Sequence, residues 1–273
     1  MAEVKEADYG PLEFPSNVEV NDTVPSEEKI AKIADFPVLD VDGKKVLFRS
    51  LYEGANGEKK NHKVLVIFVR HFYCGVGPLN SPRVTPTGDH ATNKLTNISS
   101  QNCQDFLEYL SKGLPSPAEL EALPTPVSIA VVGCGASSLI LYYVEKTSCP
   151  FPVYADPTRR LFSVLEMTRS TARSAQLPEY VRDKSLFRGA INGIGQIFSR
   201  IPKGDGLKGG AFDQVGGDFL FENEKVTWCH RMRDTTDHSD LPKIREVLGL
   251  PLASVVNDTT GCEDRIVGRP SEV

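Results

Sequence analysis

The chain has 273 residues, with 31 lysines and arginines against 36 aspartates and glutamates, giving a net charge of −5. Hydrophobic residues make up 40% and charged residues 25%, the composition of a globular protein with material for a sizeable core. The acidic balance speaks against a nucleic-acid surface, and no apolar run is long enough for a membrane helix. The first residues do not join a basic region to an apolar one, as a secretory signal would. A cytoplasmic location is therefore expected, with the six cysteines as reduced thiols rather than a disulfide scaffold.

Residues 1 to about 30 are polar and read as a flexible arm. Phe36, Val38 and Leu39 lead to Asp42-Gly43 and then to Lys45–Phe48, which is a hairpin signal. After a turn over Glu53–His62 comes Val64–Val69, an unbroken and mostly β-branched apolar run. Such a run predicts a central strand covered on both faces. Val127–Val132 is a second strand of this kind, and Phe151–Tyr154 a shorter third. Helical spacing follows over Ser138–Lys146 and again from Thr158, with Leu161, Phe162 and Leu165 on one side. Strands alternating with helices imply parallel β-α-β units. Leu186–Ile201 reads as a helix weakened by glycines, and Lys203–Gly210 as a turn. Asp218–Glu222 and Lys225–Arg231 flank Asn223-Glu224 as a second hairpin, and Asp240–Leu248 is a final helix stopped by Gly249 and Pro251.

A β-α-β half followed by a β-β-α half predicts an α/β, thioredoxin-like three-layer fold. It has a mixed central sheet of about five core strands, helices on both faces and an N-terminal β-hairpin. One domain is expected over 31–250, with a mobile tail over 251–273.

In that plan the end of the first central strand carries a reactive dithiol. Here the strand runs into Arg70-His71-Phe72-Tyr73-Cys74-Gly75, but the next cysteine is Cys103, at the start of an amphipathic helix. Removing residues 76–101 leaves Cys74-Gly75-Asn102-Cys103, a Cys-x-x-Cys at a strand-to-helix junction. The helix N-terminus stabilises a thiolate there, and the second thiol resolves the mixed disulfide or sulfenic acid. Residues 76–101 carry prolines and many polar residues with no hydrophobic period, so they read as an inserted segment. Val-Gly at the start fits GTNGGN, Leu-Thr fits CTNACN and the closing Gln fits CAG. These are the marks of an intron's start, branch site and end, in frame, so a retained intron is expected, a surface insertion being the alternative. Closing the longer loop costs about 2–2.5 kcal/mol more, which a fold of this size tolerates. It also loosens the spacing that a disulfide needs.

Cys74 is the expected nucleophile. Cys103 is the expected resolving thiol, or the more activated one if the insertion moves Cys74 from the helix end. Arg70 and His71 are supporting candidates, with strand alternation allowing only one to face the site. Cys134, Cys149 and Cys229 read as small core residues. Asp156-Pro157 reads as a helix cap, and no metal spacing is evident among the cysteines and the five histidines.

With the dithiol rejoined, the chain resembles peroxiredoxin-like proteins of the AhpC/TSA type, in the branch with a Cys-x-x-Cys motif. The resemblance rests on Asp35–Val38 with Asp42-Gly43, Val66–Gly75, Val132–Gly135, Cys149–Pro157 and Gln214–Phe221. Arg70–Gly75 and Trp228–Arg231 look most like fungal members. The resemblance implies a thiol-disulfide oxidoreductase or peroxiredoxin-like antioxidant protein that needs no organic cofactor or metal. Its substrate would be a small peroxide or disulfide and its reductant thioredoxin or glutathione, with no nucleic acid or membrane partner. Two features depart from the pattern. There is no Pro-x-x-x-Thr-x-x-Cys, and Gly216-Gly217 stands where thioredoxins place a cis-proline. A redox-inactive thioredoxin-like binding scaffold, or a pathway-specific oxidoreductase in small-molecule biosynthesis, are the alternatives.

Overall fold

The computed structural model describes residues 20–53, 61–70, 72, 102–172, 210–211 and 213–251. Cys74, His71, the 76–101 segment, Leu186–Ile201 and the tail after 254 all lie outside the described residues.

The expected arm ends sooner than its polarity suggests. Helix α1 spans Glu27–Ala34, started by Ser26, whose hydroxyl accepts the Lys29 N–H, and by Glu27 and Glu28 in its first turn. Its buried residues Ile30 and Ile33 are too few among charged neighbours to announce a helix in isolation. Strands β1 (Pro37–Leu39) and β2 (Lys45–Leu47) form the expected antiparallel hairpin, followed by a single turn of helix, α2 (Ser50–Glu53). The central strand β3 spans Lys63–Val69 and leads, beyond undescribed residues, to helix α3 (Asn102–Gly113). A short helix α4 (Pro117–Glu121) is fixed by a capping box between Ser116 and Glu119. Then come β4 (Val127–Gly133), α5 (Ile140–Thr147), β5 (Val153–Ala155) and α6 (Arg160–Val164). The last described elements are β6 (Gly217–Glu222), β7 (Lys225–Arg231) and α7 (Leu241–Leu248). Helix α7 stops where Gly249 takes the left-handed conformation, at φ 76°.

The sheet order is β2-β1-β5-β4-β3-β6-β7, so the first hairpin joins the sheet through β1 and β5 and makes it seven-stranded rather than five. Strand β3 is parallel to β4, and β4 to β5, as the alternating strands and helices predict. Strand β6 is antiparallel to both β3 and β7. The arrangement β4-β3-β6-β7 with α3 after β3 and α7 after β7 is the thioredoxin-like plan, and the fold is α/β. Among the described residues no helix is long and apolar enough to cross a membrane.

Strand β3 explains the two layers. Leu65, Ile67 and Val69 face a core shared with α3, α5 and α7, while Val64, Val66 and Phe68 face a second core under α1, α2 and α6. Two antiparallel steps leave β7 running with β3. The ends of β3, β4, β5 and β7 therefore share one pole, where α3 begins.

Gly216 enters β6 at this pole. A Cβ there would run into the Phe68 carbonyl oxygen, so only glycine lets the chain pass so close to β3. This is the physical reason for glycine at the point where the thioredoxin pattern has a cis-proline.

Candidate active site

Cys103 lies in the first turn of α3 and is fully buried. Its Sγ is 3.4 Å from Nε2 of His238, a residue in the loop between β7 and α7. The imidazole lies flat on Phe106, one turn along α3, with ring centroids 4.0 Å apart and 5° between planes. Burial lowers the His238 pKa to about 3, aided by the positive charges of His230 and Arg70 and opposed by Asp237. The ring is therefore neutral at neutral pH. In the tautomer with its proton on Nδ1, Nε2 accepts the Cys103 S–H. The helix amides and a neutral base thus converge on one thiol.

Arg70 follows β3 directly and is buried. Its Nε donates to the Gln214 carbonyl at 3.4 Å, and its charge reaches His238. Of the expected residues, then, Cys103 and Arg70 meet around His238. Cys74 and His71 lie outside the described residues.

The Cys134 S–H donates to the Arg70 carbonyl at 2.6 Å, and burial raises this thiol to about 12. Burial also raises Cys149, to about 11, and Cys229. All three stay protonated, as core thiols do. Asp156 does act as a cap: its Oδ2 accepts the Leu161 N–H at 3.0 Å.

Beside the thiol pole lies a charged cluster that sequence reasoning missed. Burial works against a charged His230, but Asp237 and Asp218 outweigh it and raise its pKa to about 9. His230 Nδ1 is 3.3 Å from Asp22 Oδ2, and Nε2 is 2.7 Å from the Asp237 carbonyl. Burial raises the Asp218 carboxyl, with the His230 charge and a bond from Ser239 pulling the other way. The signal for His238 was topological. The loop after a strand running with β3 must return to the pole where α3 starts, and that loop is polar from Arg233 to Asp240, His238 included.

Residues 116–234 match the AhpC/TSA antioxidant enzyme family. The match takes in Cys134, Asp218 and His230 and stops short of both Cys103 and His238. The chain is similar to Peroxiredoxin-like 2C of Mus musculus, 24% identical over 222 residues that cover 81% of this chain and 80% of the relative. It is equally similar to Peroxiredoxin-like 2C of Homo sapiens, 24% identical over 229 residues covering 83% of each. Among solved structures, Xanthomonas campestris Peroxiredoxin Q aligns over 83% of this chain and 94% of that chain, at 13% identity and a TM-score of 0.41.

Proposed function

We propose that this chain is a thiol-dependent oxidoreductase of the peroxiredoxin-like, AhpC/TSA kind, acting on a small peroxide or disulfide through Cys74 and Cys103. The observation that carries the reading is the Cys103 thiol, sealed in the first turn of α3 with its sulfur 3.4 Å from His238 Nε2. A buried thiol beside a neutral base suits the resolving role, because its target arrives on the same chain. The family match and the peroxiredoxin-like relatives support the same class.

The Cys74 thiolate attacks the distal peroxide oxygen. The O–O bond breaks, the alkoxide takes up the proton that the Cys74 thiol had released and leaves as an alcohol, and Cys74 becomes a sulfenic acid. The Cys103 S–H, held on His238 Nε2, loses its proton as its sulfur attacks the Cys74 sulfur. The sulfenic oxygen departs as water with that proton, leaving a Cys74–Cys103 disulfide. A dithiol such as thioredoxin, or two glutathiones, returns both electrons by exchange. Arg70 or His71, whichever strand alternation turns toward the site, is the supporting group for the thiolate.

A reducing, cytoplasmic compartment belongs to this reading. The fungal wording and the 76–101 segment as a retained intron belong to this reading. A spliced transcript joining the Gly75 and Asn102 codons supports the intron, and one that keeps the intervening codons refutes it.

Peptide mapping after one equivalent of hydrogen peroxide tests the mechanism. The expected product is a Cys74–Cys103 disulfide, with turnover lost in Cys74→Ser and in Cys103→Ser. Native turnover in both variants would end the reading.

A further inference from the structure

Asp218 and His230 are directly opposite in the β6–β7 register, and Asp218 is also opposite Ile67 of β3. Opposed residues share a face. Asp218 therefore lies on the side where Ile67 packs with Cys103 and Phe106. It is fully buried. Its Oδ2 accepts the Ser239 N–H at 3.3 Å, and its Oδ1 has no hydrogen-bond partner among the described residues.

The His230 charge attracts this carboxyl, but no hydrogen bond joins the two. The two ring nitrogens of His230 are taken by Asp22 and by Asp237, whose Oδ1 is also 3.6 Å away. The atom that Asp218 holds is the amide of Ser239, the residue next to His238. An apolar side chain would fill a plain core position there at lower cost than a buried acid. What an apolar side chain cannot do is anchor that amide.

We infer that Asp218 is a positioning residue for the Cys103 thiol: seated between Ile67 and His230, it grips the Ser239 amide and so holds the His238 imidazole on Phe106 with Nε2 against Cys103 Sγ. The inference rests on the proposed redox role of Cys103 and adds the part that fixes its base. The charged groups that act on the ring are His230, Arg70 and Asp237, and Asp218 touches its neighbour Ser239.

The test uses the full chain carrying Cys74→Ser, with methyl methanethiosulfonate as a small probe. The Cys103 proton passes to the buffer, its sulfur bonds to the methylthio sulfur, and methanesulfinate leaves with the electron pair. The rate at Cys103 is read by peptide mass spectrometry across pH, and the His238 ring nitrogens by NMR. Asp218→Ala is expected to slow Cys103 roughly tenfold or more, because a base displaced by even ~1 Å loses its geometry. Asp218→Asn keeps an oxygen for the Ser239 amide and should stay within about twofold of the Cys74→Ser parent. In a His238→Ala background, Asp218→Ala should add no further loss.

A parental rate and pH profile in Asp218→Ala would overturn the inference, as would losses that multiply in the double variant. If Asp218→Ala does not fold, Asp218→Asn decides: parental ring signals and rate support the inference, and a fall to the His238→Ala level refutes it. The ring signals need no thiol reaction. Unmoved His238 signals in a folded Asp218→Ala sink the positioning role alone. A Cys103 already inert in the Cys74→Ser parent, with ring signals displaced in Asp218→Ala, sinks the redox reading and leaves the positioning role standing.

Discussion

The two faces of the sheet are built from the same strand and do different work. On the α1, α2 and α6 side, aromatic rings pack on one another. Phe68 meets Phe162 at 5.2 Å, Phe219 at 5.6 Å and Phe48 at 6.1 Å, while Tyr52 stacks on Phe221 at 4.3 Å. On the α3 and α7 side the packing is mostly aliphatic, and into it are set a thiol, an imidazole and a carboxyl. Apolar burial stabilises without needing partners, whereas each buried polar group must find one. The aromatic face can thus supply stability that the other face gives up to position Cys103, His238 and Asp218.

The sharpest way to break this division is Phe68→Ala. It should cost about 3–5 kcal/mol in urea unfolding, yet leave the pH dependence of the Cys103 reaction unchanged in the folded protein. A changed pH dependence would mean the faces are coupled. Next is Arg231→Leu. The Arg231 guanidinium donates to the carbonyls of Leu165, Asn21 and Thr23 from inside the protein. Leaving those carbonyls bare should cost about 3 kcal/mol, with little effect on thiol reactivity. His238→Ala should do the reverse. Its lost ring stacking costs about 1 kcal/mol by thermal unfolding, while removing the base slows Cys103 by ~10²-fold in rapid alkylation.

A pH effect on stability comes from His230. Its folded pKa is about 9, above the ordinary 6.5. Its contribution is fully present below about 6.5 and is lost as pH rises through about 9. Denaturation midpoints should therefore fall between neutral pH and pH ~9.5, and His230→Gln should flatten that decline. The lowered carboxyls of Asp22 and Asp237 act at the other end, giving stability that is lost as pH drops below the ordinary carboxylate range. The smallest effect is expected at the exposed Lys112–Glu108 pair on α3. Lys112→Ala should change stability by only about 0.3–0.5 kcal/mol.

Much of the fold could be read from local pattern. The apolar runs of β3 and β4 survive as strands because both faces are covered, and α7 ends at Gly249 because its backbone turns left-handed there. Helix α1 was missed because Ile30 and Ile33 gain their helical partners only when buried against the aromatic face. The thiol's position at a helix start was legible in Asn102-Cys103. Its partner was not, since Cys103 and His238 lie 135 residues apart and meet only through the return of the last loop to the α3 pole. Asp218 looked like one polar residue in an apolar strand, and only its register against Ile67 and His230 gives it a purpose.

The contact between Asp22 and β7 has a consequence for how copies of this chain meet one another. Strand β7 closes one side of the sheet, and such margins invite pairing with a foreign strand. Asp22 Oδ1 already accepts the Arg231 N–H at 2.8 Å. A strand from another molecule must evict that carboxylate before it can add there, so Asp22 guards this edge against self-association.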